Sequence, residues 1–195
     1  MMDIRPVTLE GRFVRLEPMR LDHATPLAAI GAGRDIFRYF PIPLDTADQI
    51  EAYVRHCVQG EEEGTLLTWV AVPLASGEPA GSTGFLAIDR YHRRLEIGGT
   101  WIAPEWQRTA CNTEAKLLQL SHAFETLGCS RVEFKTDSLN ERSRAALLRI
   151  GATEEGTFRN HMVMPDGRLR HSVYFSVIES EWPGVKAHLE TMLDR

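Results

Sequence analysis

The chain has 195 residues, of which 43% are hydrophobic and 25% are charged, and its 22 basic and 27 acidic side chains give a net charge of −5 at pH 7. This composition is typical of a globular protein and excludes a disordered chain, which is poor in apolar residues. The negative net charge argues against a nucleic-acid partner, because general binding to nucleic acids depends on an excess of Lys and Arg.

The sequence also argues against a membrane protein, a disulfide framework and a metal site. No apolar run approaches the roughly 20 residues of a membrane-spanning helix, and Asp3 and Pro6 lie where a signal peptide is apolar. The cysteines Cys57, Cys111 and Cys129 are odd in number and form no CxxC pair. The seven histidines show neither HExxH nor HxxxH spacing. We therefore expect a cytoplasmic protein without membrane contact and without a bound metal.

The first half of the chain predicts one strand, two helices and three further strands. In the second helix, Ile50, Val54 and Cys57 form a stripe at helical spacing. The aromatic, proline-rich loop 37–43 between the helices either covers a site or plugs an edge of the core. The last three strands are separated by short turns, which predicts an antiparallel meander. In order, the predicted elements are a strand at 11–19, helices at 22–32 and 46–63, and strands at 66–73, 80–89 and 95–103.

The second half of the chain alternates helices with strands and ends in a hairpin and a helix. Apolar and polar residues alternate strictly over 131–137, as in a half-buried strand. Pro165, Asp166 and Gly167 are typical of a hairpin turn. The predicted elements are helices at 113–127 and 140–150, strands at 131–137, 153–164 and 169–178, and a terminal helix at about 179–195. The chain, residues 1–195, thus predicts a single domain of the α+β (mixed α/β) class.

The third meander strand carries Glu96 and a glycine pair. Leu95 and Ile97 share one face of this strand, and Glu96 shares the other face with Gly98. If the apolar pair faces the core, Glu96 is solvated on the other face. If that other face opens on a cleft, partial burial raises the pKa of Glu96 towards that of a general base. The adjacent Gly98 and Gly99 predict a bulge or a close approach by another group.

Residues 107–113 pass from the end of a strand through a loop into the start of a helix. The unpaired N–H groups and the dipole of a helix N-terminus bind phosphates well, and Arg108 adds a positive charge. The segment therefore either binds an anion or only starts the helix. In the second case Asn112 or Thr113 is the cap and Glu114 complements the dipole.

Polar side chains of the second half provide further candidates. Asn140 is a natural N-cap, and Ser143 lies on the apolar stripe of the same helix, where its hydroxyl either bonds a backbone carbonyl or takes part in chemistry. His161 and His171 lie on the two hairpin strands, and each is either a base or an exposed residue. A nucleophilic role for Cys111 lacks support, because no His or Asp arrangement lies near it in the sequence.

Several segments follow one another in the order typical of a known family. They are Arg12 to Pro18, Leu95 to Ile102, Trp106 to Lys116, Val132 to Thr136, Asn140 to Ser143, Gly151 to Gly156 and Pro165 to Gly167. Each motif alone is weakly specific, but together they span nearly the whole chain. In this order they resemble the GNAT acetyltransferases, and within them the RimJ/RimL-like N-acetyltransferases.

The resemblance implies a mostly antiparallel, splayed mixed sheet of about six to seven strands flanked by helices, with acetyl-CoA wedged between the third meander strand and the strand at 131–137. Backbone groups of Trp101 and Ile102 would hold the pantetheine and polarise the thioester carbonyl. Asn140 would contact the pantetheine arm, and Ser143 matches the position expected to protonate the departing CoA thiolate. The residues implied at the pyrophosphate are Gln107, Arg108, Thr109, Ala110, Cys111, Asn112 and Thr113.

The chain departs from the family pattern in two places. The loop pattern Q/R-x-x-G-x-G/A has glycines where this chain has Ala110 and Asn112, and glycine lets a backbone approach phosphate closely and adopt positive φ. The glutamate that serves RimL-like members as general base is replaced by Met162. We therefore expect Glu96 to be the base, directly or through a water, with His161 as the alternative.

The implied activity is transfer of an acetyl group from acetyl-CoA to a primary amine, directly and within a ternary complex. The acceptor would be a small molecule, an aminoacyl group or a protein N-terminus, and a homodimer is compatible with the family. The altered loop and the missing glutamate keep two alternatives open. These are a non-catalytic acyl-CoA-binding sensor and an interaction module with a vestigial cleft.

Overall fold

The computed structural model describes residues 2–194, so that residues 1 and 195 of the predicted domain lie outside the described residues. The strands are β1 (Leu9–Glu10), β2 (Val14–Pro18), β3 (Leu67–Pro73), β4 (Gly81–Asp89), β5 (Arg94–Ile102), β6 (Arg131–Asp137), β7 (Thr153–Val163) and β8 (Leu169–Ile178). The α-helices are α1 (Ala24–Gly31), α2 (Ala47–Glu62), α3 (Ala110–Ser121), α4 (Glu141–Arg149) and α5 (Trp182–Leu193). Short 3₁₀ turns at Leu21–His23 and Pro104–Trp106 precede α1 and α3, and a π-helical turn at His122–Thr126 follows α3.

All eight strands form one sheet, in the order β1-β2-β3-β4-β5-β6-β8-β7. Only β5 and β6 pair in parallel, and their pairing ends at Glu96 and Glu133 after three residue pairs. Beyond these residues the two strands part. The expected splayed, mostly antiparallel α+β fold is therefore confirmed. The strand that the sequence did not predict is β1, whose two residues are too few for a hydrophobic pattern.

Two hydrophobic clusters lie on opposite faces of this sheet. One cluster includes Trp69 and Phe85 and packs against α3 and α5, and the other includes Val70 and Trp101 and packs against α1 and α2. Trp69 and Val70 are adjacent in β3, so strand alternation places them on opposite faces. All seven residues of β3 are buried. This burial on both faces explains why the sequence of the strand is almost continuously apolar.

Helix α3 begins at Ala110, earlier than the predicted start at residue 113. Thr109 is its N-cap, because its hydroxyl accepts a hydrogen bond from the N–H of Cys111 at 3.2 Å. The expectation that Asn112 or Thr113 caps this helix is therefore wrong, since both lie inside its first turn. Residue type alone does not favour Thr109, because threonine and asparagine both serve as caps.

Glu114 ties α3 to the start of β2. Its buried carboxylate accepts hydrogen bonds from the backbone N–H groups of Arg12, Phe13 and Val14, at 2.7, 2.6 and 2.8 Å. A Cβ at Gly11 would lie 2.3 Å from the Glu114 carboxyl carbon, so only glycine leaves room for this contact. Glu114 thus does more than complement the helix dipole. It satisfies three backbone donors of a strand about a hundred residues away in the sequence.

Glu114→Gln is expected to lower the free energy of unfolding by about 2 kcal/mol, because an amide nitrogen would face backbone donors that then lack an acceptor. Urea unfolding measures the change. Glu141→Gln, which alters an exposed glutamate in the first turn of α4, is the matched control. A loss in Glu114→Gln no larger than in this control would contradict the structural role.

Candidate functional site

The parting of β5 and β6 opens a cleft in the middle of the sheet. Beyond Glu96, and within residues 2–194, the β6-facing edge of β5 pairs with no strand. Its N–H and C=O groups are therefore available to a ligand, as they are on any unpaired strand edge. A ligand with amide groups could add itself to this edge in the manner of a further strand.

Two side-chain contacts join the walls of the cleft. Gln107 donates from Nε2 to the carbonyl of Ile102 at 2.8 Å and accepts at Oε1 from Nη1 of Arg142 on α4 at 2.9 Å. Arg149, also on α4, donates to the hydroxyl of Thr113 on α3 at 3.3 Å. The structure therefore brings the predicted segments at 101–113 and 140–143 together, one on each wall.

A cavity of about 440 Å³ lies beside the Gln107–Arg142 contact. It is lined by residues 32–36 of the α1–α2 connection, by Pro104, and by these two side chains. Arg34, from the same connection, forms an ion pair with Glu105 at 2.8 Å. The segment that joins α1 to α2 thus lines the cavity beside the cleft.

The predicted bulge in β5 is confirmed. Gly99 and Thr100 together lie opposite the single residue Thr83 of β4, and Gly99 has a φ of 59°. An extra residue reverses the alternation of a strand beyond it. Thr100 consequently turns towards α3, where its hydroxyl lies 2.7 Å from that of Thr83 and 2.9 Å from Nζ of Lys116.

The side chains of Trp101 and Ile102 are buried in the two opposite hydrophobic clusters. Trp101 packs edge-on against Phe37, with ring centroids 5.0 Å apart. Phe37 belongs to loop 37–43, which therefore plugs the core at this point. Trp101 and Ile102 can offer only backbone groups to a ligand, and the carbonyl of Ile102 is already bonded to Gln107.

The N-terminus of α3 leaves backbone donors free at the end of β5. The hydroxyl of Thr109 accepts a hydrogen bond from the N–H of Cys111. The N–H groups of Thr109, Ala110 and Asn112 have no intrahelical partner. The residue with positive φ is Arg108, at 63°. Ala110 and Asn112 lie within the helix, so this turn forms without a glycine at either position.

Cys111 and Thr113 bury their side chains in the first turn of α3. Burial raises the pKa of the Cys111 thiol to about 11. At neutral pH this cysteine is therefore a protonated thiol and a poor nucleophile. Cys111 lies in the helix and not in the loop, and its side chain belongs to the core.

Glu96 lies where β5 and β6 part, and it is only 5% exposed. Its Oε2 is 3.1 Å from Nζ of Lys135 on β6. Burial raises the pKa of Glu96 above its ordinary value, while Lys135 opposes the rise. Of the two sequence alternatives, the solvated one is wrong: Leu95 and Ile97 do face the core, but the opposite face is also covered at this point.

Asn140 and Ser143 lie at the start of α4, on the far wall of the cleft. The Asn140 side chain caps the helix, with Oδ1 accepting from the N–H of Ser143 at 3.0 Å, as the sequence predicted. Ser143 is half-buried, and within residues 2–194 its hydroxyl has no hydrogen-bond partner in the protein. The hydroxyl thus remains free to donate to a ligand.

His161 lies on an exposed stretch of β7 near Phe158 and Tyr174. Its Nδ1 is 3.0 Å from the hydroxyl of Ser172 on β8. Partial burial, together with the positive charges of Lys135 and Arg170, lowers the pKa of His161. His161 is therefore neutral at pH 7 and stays chemically competent as the alternative base.

Sequence reasoning missed Lys116, which is buried behind the bulge. Its ammonium group donates to the hydroxyls of Thr83 and Thr100 and to Oε1 of Gln119, each at 2.9 Å. None of these partners is charged, and burial lowers the pKa of Lys116 to about 7. Lys116 lies four residues before the buried Leu120 on the same helical face, and this spacing is the signal that could have placed it in the interior.

Lys116 is expected to make the folded protein more stable as the pH rises from about 7 to about 10. In that range the folded protein has released the proton that the unfolded chain still binds, so stability increases with pH. Lys116→Met should remove this gain, whereas Lys186→Met, at a partly exposed lysine, should keep it. Urea midpoints at pH 7 and pH 10 measure the difference. Equal pH dependence in wild type and Lys116→Met would contradict the low pKa.

Residues 2–194 contain neither a cluster of side chains placed to hold a metal ion nor a membrane-spanning helix. No group of three or more His, Cys, Asp or Glu side chains within this range is placed to hold a metal ion. No helix in the same part of the chain is long and apolar enough to span a membrane.

Comparison with known proteins matches the chain to a family. A family model described as "Acetyltransferase (GNAT) domain" matches residues 14–153. The chain is similar to "Putative ribosomal N-acetyltransferase YdaF" of Bacillus subtilis (strain 168), with 35% identity over 113 residues, 58% of this chain and 61% of that protein. The match thus spans less than two thirds of that relative.

Solved structures share the fold over nearly the whole chain. A GCN5-related N-acetyltransferase from Brucella melitensis is 31% identical, with a TM-score of 0.89 over 99% of this chain and 90% of that one. An acetyltransferase structure from T. thermophilus is 36% identical, with a TM-score of 0.88 over 98% of this chain and 100% of that one.

Proposed function

The chain belongs to the GNAT acetyltransferase family, and on this premise we propose that it transfers an acetyl group from acetyl-CoA to a primary amine. The observation that carries the proposal is the cleft between β5 and β6. It combines a free strand edge, a helix N-terminus and a buried carboxylate of raised pKa. We further propose that the whole chain acts as one domain in the cytoplasm.

The residues of the cleft fit acetyl-CoA. The edge of β5 at Trp101 and Ile102 offers backbone groups of the kind that pair with the amides of pantetheine, and a ligand there would share the carbonyl of Ile102 with Gln107. The open N–H groups at the start of α3 suit a pyrophosphate, and the guanidinium of Arg108 adds positive charge there. We propose that Gln107 to Thr113 hold the phosphates and that Asn140 contacts the pantetheine arm.

Glu96 is proposed as the general base. A carboxylate that is buried and has a raised pKa accepts a proton from an ammonium group more readily than an exposed one does. Lys135 forms an ion pair with Glu96 and opposes the rise of its pKa on burial. The bound acceptor would lose its proton to Glu96 directly or through a water molecule and then attack the thioester.

Ser143 is proposed as the general acid, with backbone N–H groups of β5 as the oxyanion site. N–H groups fixed in a strand edge stabilise the charge that develops on the thioester oxygen without having to reorganise. The free hydroxyl of Ser143 would donate a proton to the departing sulfur. Both substrates must be bound together for this direct transfer, since the proposed route uses no acylated side chain of the protein.

The acceptor is proposed to be a small amine, an aminoacyl group or a protein N-terminus. The Bacillus subtilis relative is named as a ribosomal N-acetyltransferase, which supports a protein N-terminus as the acceptor here. The hairpin β7–β8 exposes the apolar side chains of Phe158, Val163 and Leu169. We propose that two copies of the chain form a homodimer through this hairpin.

Acetyl-CoA at about one hundred times its dissociation constant should stabilise the protein by roughly 2.7 kcal/mol, or about 5–10 °C in unfolding temperature for a chain of this size. S-acetylpantetheine, which lacks the pyrophosphate, should have a smaller effect at the same concentration. No stabilisation at millimolar acetyl-CoA would contradict the proposed cofactor and favour an interaction module. Stabilisation without release of CoA thiol when amines are added would favour a sensor.

A further inference from the structure

Arg170 of β8 is a buried cation that donates hydrogen bonds to neutral groups. It is 4% exposed, and it donates from Nε to the hydroxyl of Ser172 at 3.1 Å and from Nη1 to the carbonyl of Tyr39 at 3.2 Å. Within residues 2–194, no carboxylate oxygen lies within 4.0 Å of its guanidinium nitrogens. A guanidinium has five N–H donors, so three of them are not used by the described part of the protein.

The two carboxylates whose charges act on Arg170 already have other partners. Glu96 has Lys135 as its partner at 3.1 Å, and Asp137 has Arg168 at 2.5 Å. Arg170 interacts with both carboxylates only at longer range. Each of these two carboxylates is therefore already engaged at close range by another cation, and Arg170 has no close counter-ion of its own within residues 2–194.

No neighbouring group among residues 2–194 supplies the missing negative charge. His161 is close enough to Lys135 and Arg170 for their charges to lower its pKa, and in its neutral form it adds no charge. The remaining partners, Ser172 and the carbonyl of Tyr39, are neutral. A buried cation without a counter-ion is costly, and an anion that enters the site relieves that cost.

The position of Arg170 relates this charge to the proposed reaction. The charge of Arg170 acts on Glu96, the proposed base, and lowers the pKa of that carboxyl group. Arg170 also donates to the carbonyl of Tyr39 in loop 37–43, which directly follows the residues 32–36 that line the cavity beside the cleft. A ligand that reaches Glu96 with its amine therefore lies within the field of the Arg170 guanidinium, whose planar fork suits a carboxylate.

We propose that Arg170 binds a carboxylate carried by the acceptor, so that the substrate class is an amine that also bears a carboxylate. This inference rests on the proposed acetyl transfer and narrows it. The carboxylate has two sources, the α-carboxylate of a free amino acid or an acidic side chain next to a peptide N-terminus. Arg170 is thus a specificity-determining residue for the acceptor.

The test compares acceptors that differ only in the carboxylate. The common L-amino acids are assayed against their carboxamides, and the C-terminally amidated peptide Ala-Glu-Ala against Ala-Gln-Ala, by release of CoA thiol. In wild type, kcat/KM for the carboxylate-bearing member of the preferred pair should be higher by about tenfold to a hundredfold, mainly through KM, as one charge-assisted hydrogen-bonded pair provides. The pair that shows the preference identifies the source of the carboxylate.

Arg170→Gln should remove this preference, so that kcat/KM becomes equal for the two members of the pair. Arg170→Lys should keep part of the preference, because it retains the charge. Arg159→Gln, which removes an exposed arginine from the neighbouring strand β7, should keep the full preference for the carboxylate-bearing member. A merely structural role for Arg170 would lower kcat/KM for both members equally and would overturn the inference.

A binding measurement decides the question independently of turnover. The unfolding temperature of wild type should rise with the carboxylate-bearing ligand and not with its amide, and Arg170→Gln should show no such difference. If no amine releases CoA thiol, the proposed acetyl transfer fails, and these unfolding measurements still decide whether Arg170 binds a carboxylate. Equal effects of the acid and the amide in wild type would overturn the inference.

Discussion

Glu96→Gln is expected to lower kcat for acetyl transfer by about a hundredfold or more, because general acid–base groups contribute about 10² to 10⁴ in rate. The substitution keeps the shape of the side chain, and it removes both the capacity to take a proton and the negative charge that pairs with Lys135. Binding of acetyl-CoA should stay near that of wild type, since the proposed cofactor contacts lie at residues 101–113 and at Asn140. Steady-state release of CoA thiol at saturating acetyl-CoA measures the loss.

The pH dependence provides a second signature of Glu96. A base works only when it is deprotonated, so kcat/KM of wild type should fall as the pH drops through the pKa of Glu96. Burial raises that pKa above the ordinary value of a glutamate, so the acid limb should lie above the normal range of a carboxyl group. Glu96→Gln should lack this limb.

Glu133→Gln is the matched control for this prediction. Glu133 pairs with Glu96 in the β5–β6 register, and Arg94 and Arg131 hold its carboxylate at 3.2 and 2.8 Å. Its substitution should leave kcat within about threefold of wild type. A similarly small change in Glu96→Gln would contradict its role as base, and a large loss in His161→Ala would then identify His161 instead.

Ser143→Ala is expected to lower kcat by about tenfold to a hundredfold while the affinity for acetyl-CoA changes little. The thiolate of CoA would then leave without a proton donor. The helix cap should survive, because Asn140 bonds the backbone N–H of Ser143 and not its hydroxyl. The unfolding temperature should therefore stay close to that of wild type, which separates lost chemistry from lost structure.

Ser143→Thr provides the control for the hydroxyl, since it retains the donor on a slightly larger side chain. It should recover much of the turnover that Ser143→Ala loses. Turnover of Ser143→Ala equal to that of wild type, under conditions where chemistry limits the rate, would rule out Ser143 as the acid.

Local patterns predicted the elements well where each strand or helix has one apolar face. Residues 131–137 alternate strictly and form β6 with those bounds. The glycine pair marked the bulge in β5, where positive φ is required at Gly99. The start of α3 was predicted too late, because capping by Thr109 depends on the backbone angles of the loop and not on residue type alone.

The environments of buried charges were not predictable in the same way. Glu96 is buried because Lys135 reaches it from a parallel strand whose pairing no local pattern reveals. Arg170 lies on the polar face of β8, and this position predicts an exposed side chain. In the structure it is buried, and it donates a hydrogen bond to the carbonyl of Tyr39, more than a hundred residues earlier in the sequence. Both features arise from contacts between segments distant in the sequence, and both lie in the proposed acceptor site.

The most direct test of the account is amine-dependent release of CoA thiol from acetyl-CoA by the purified protein, with the N-acetylated amine identified by mass. Release of CoA thiol is expected in proportion to acetylated amine, with Glu96→Gln and Ser143→Ala strongly impaired and Glu133→Gln active. Binding of acetyl-CoA without release of CoA thiol, for every amine, amino acid and peptide N-terminus offered, would contradict it.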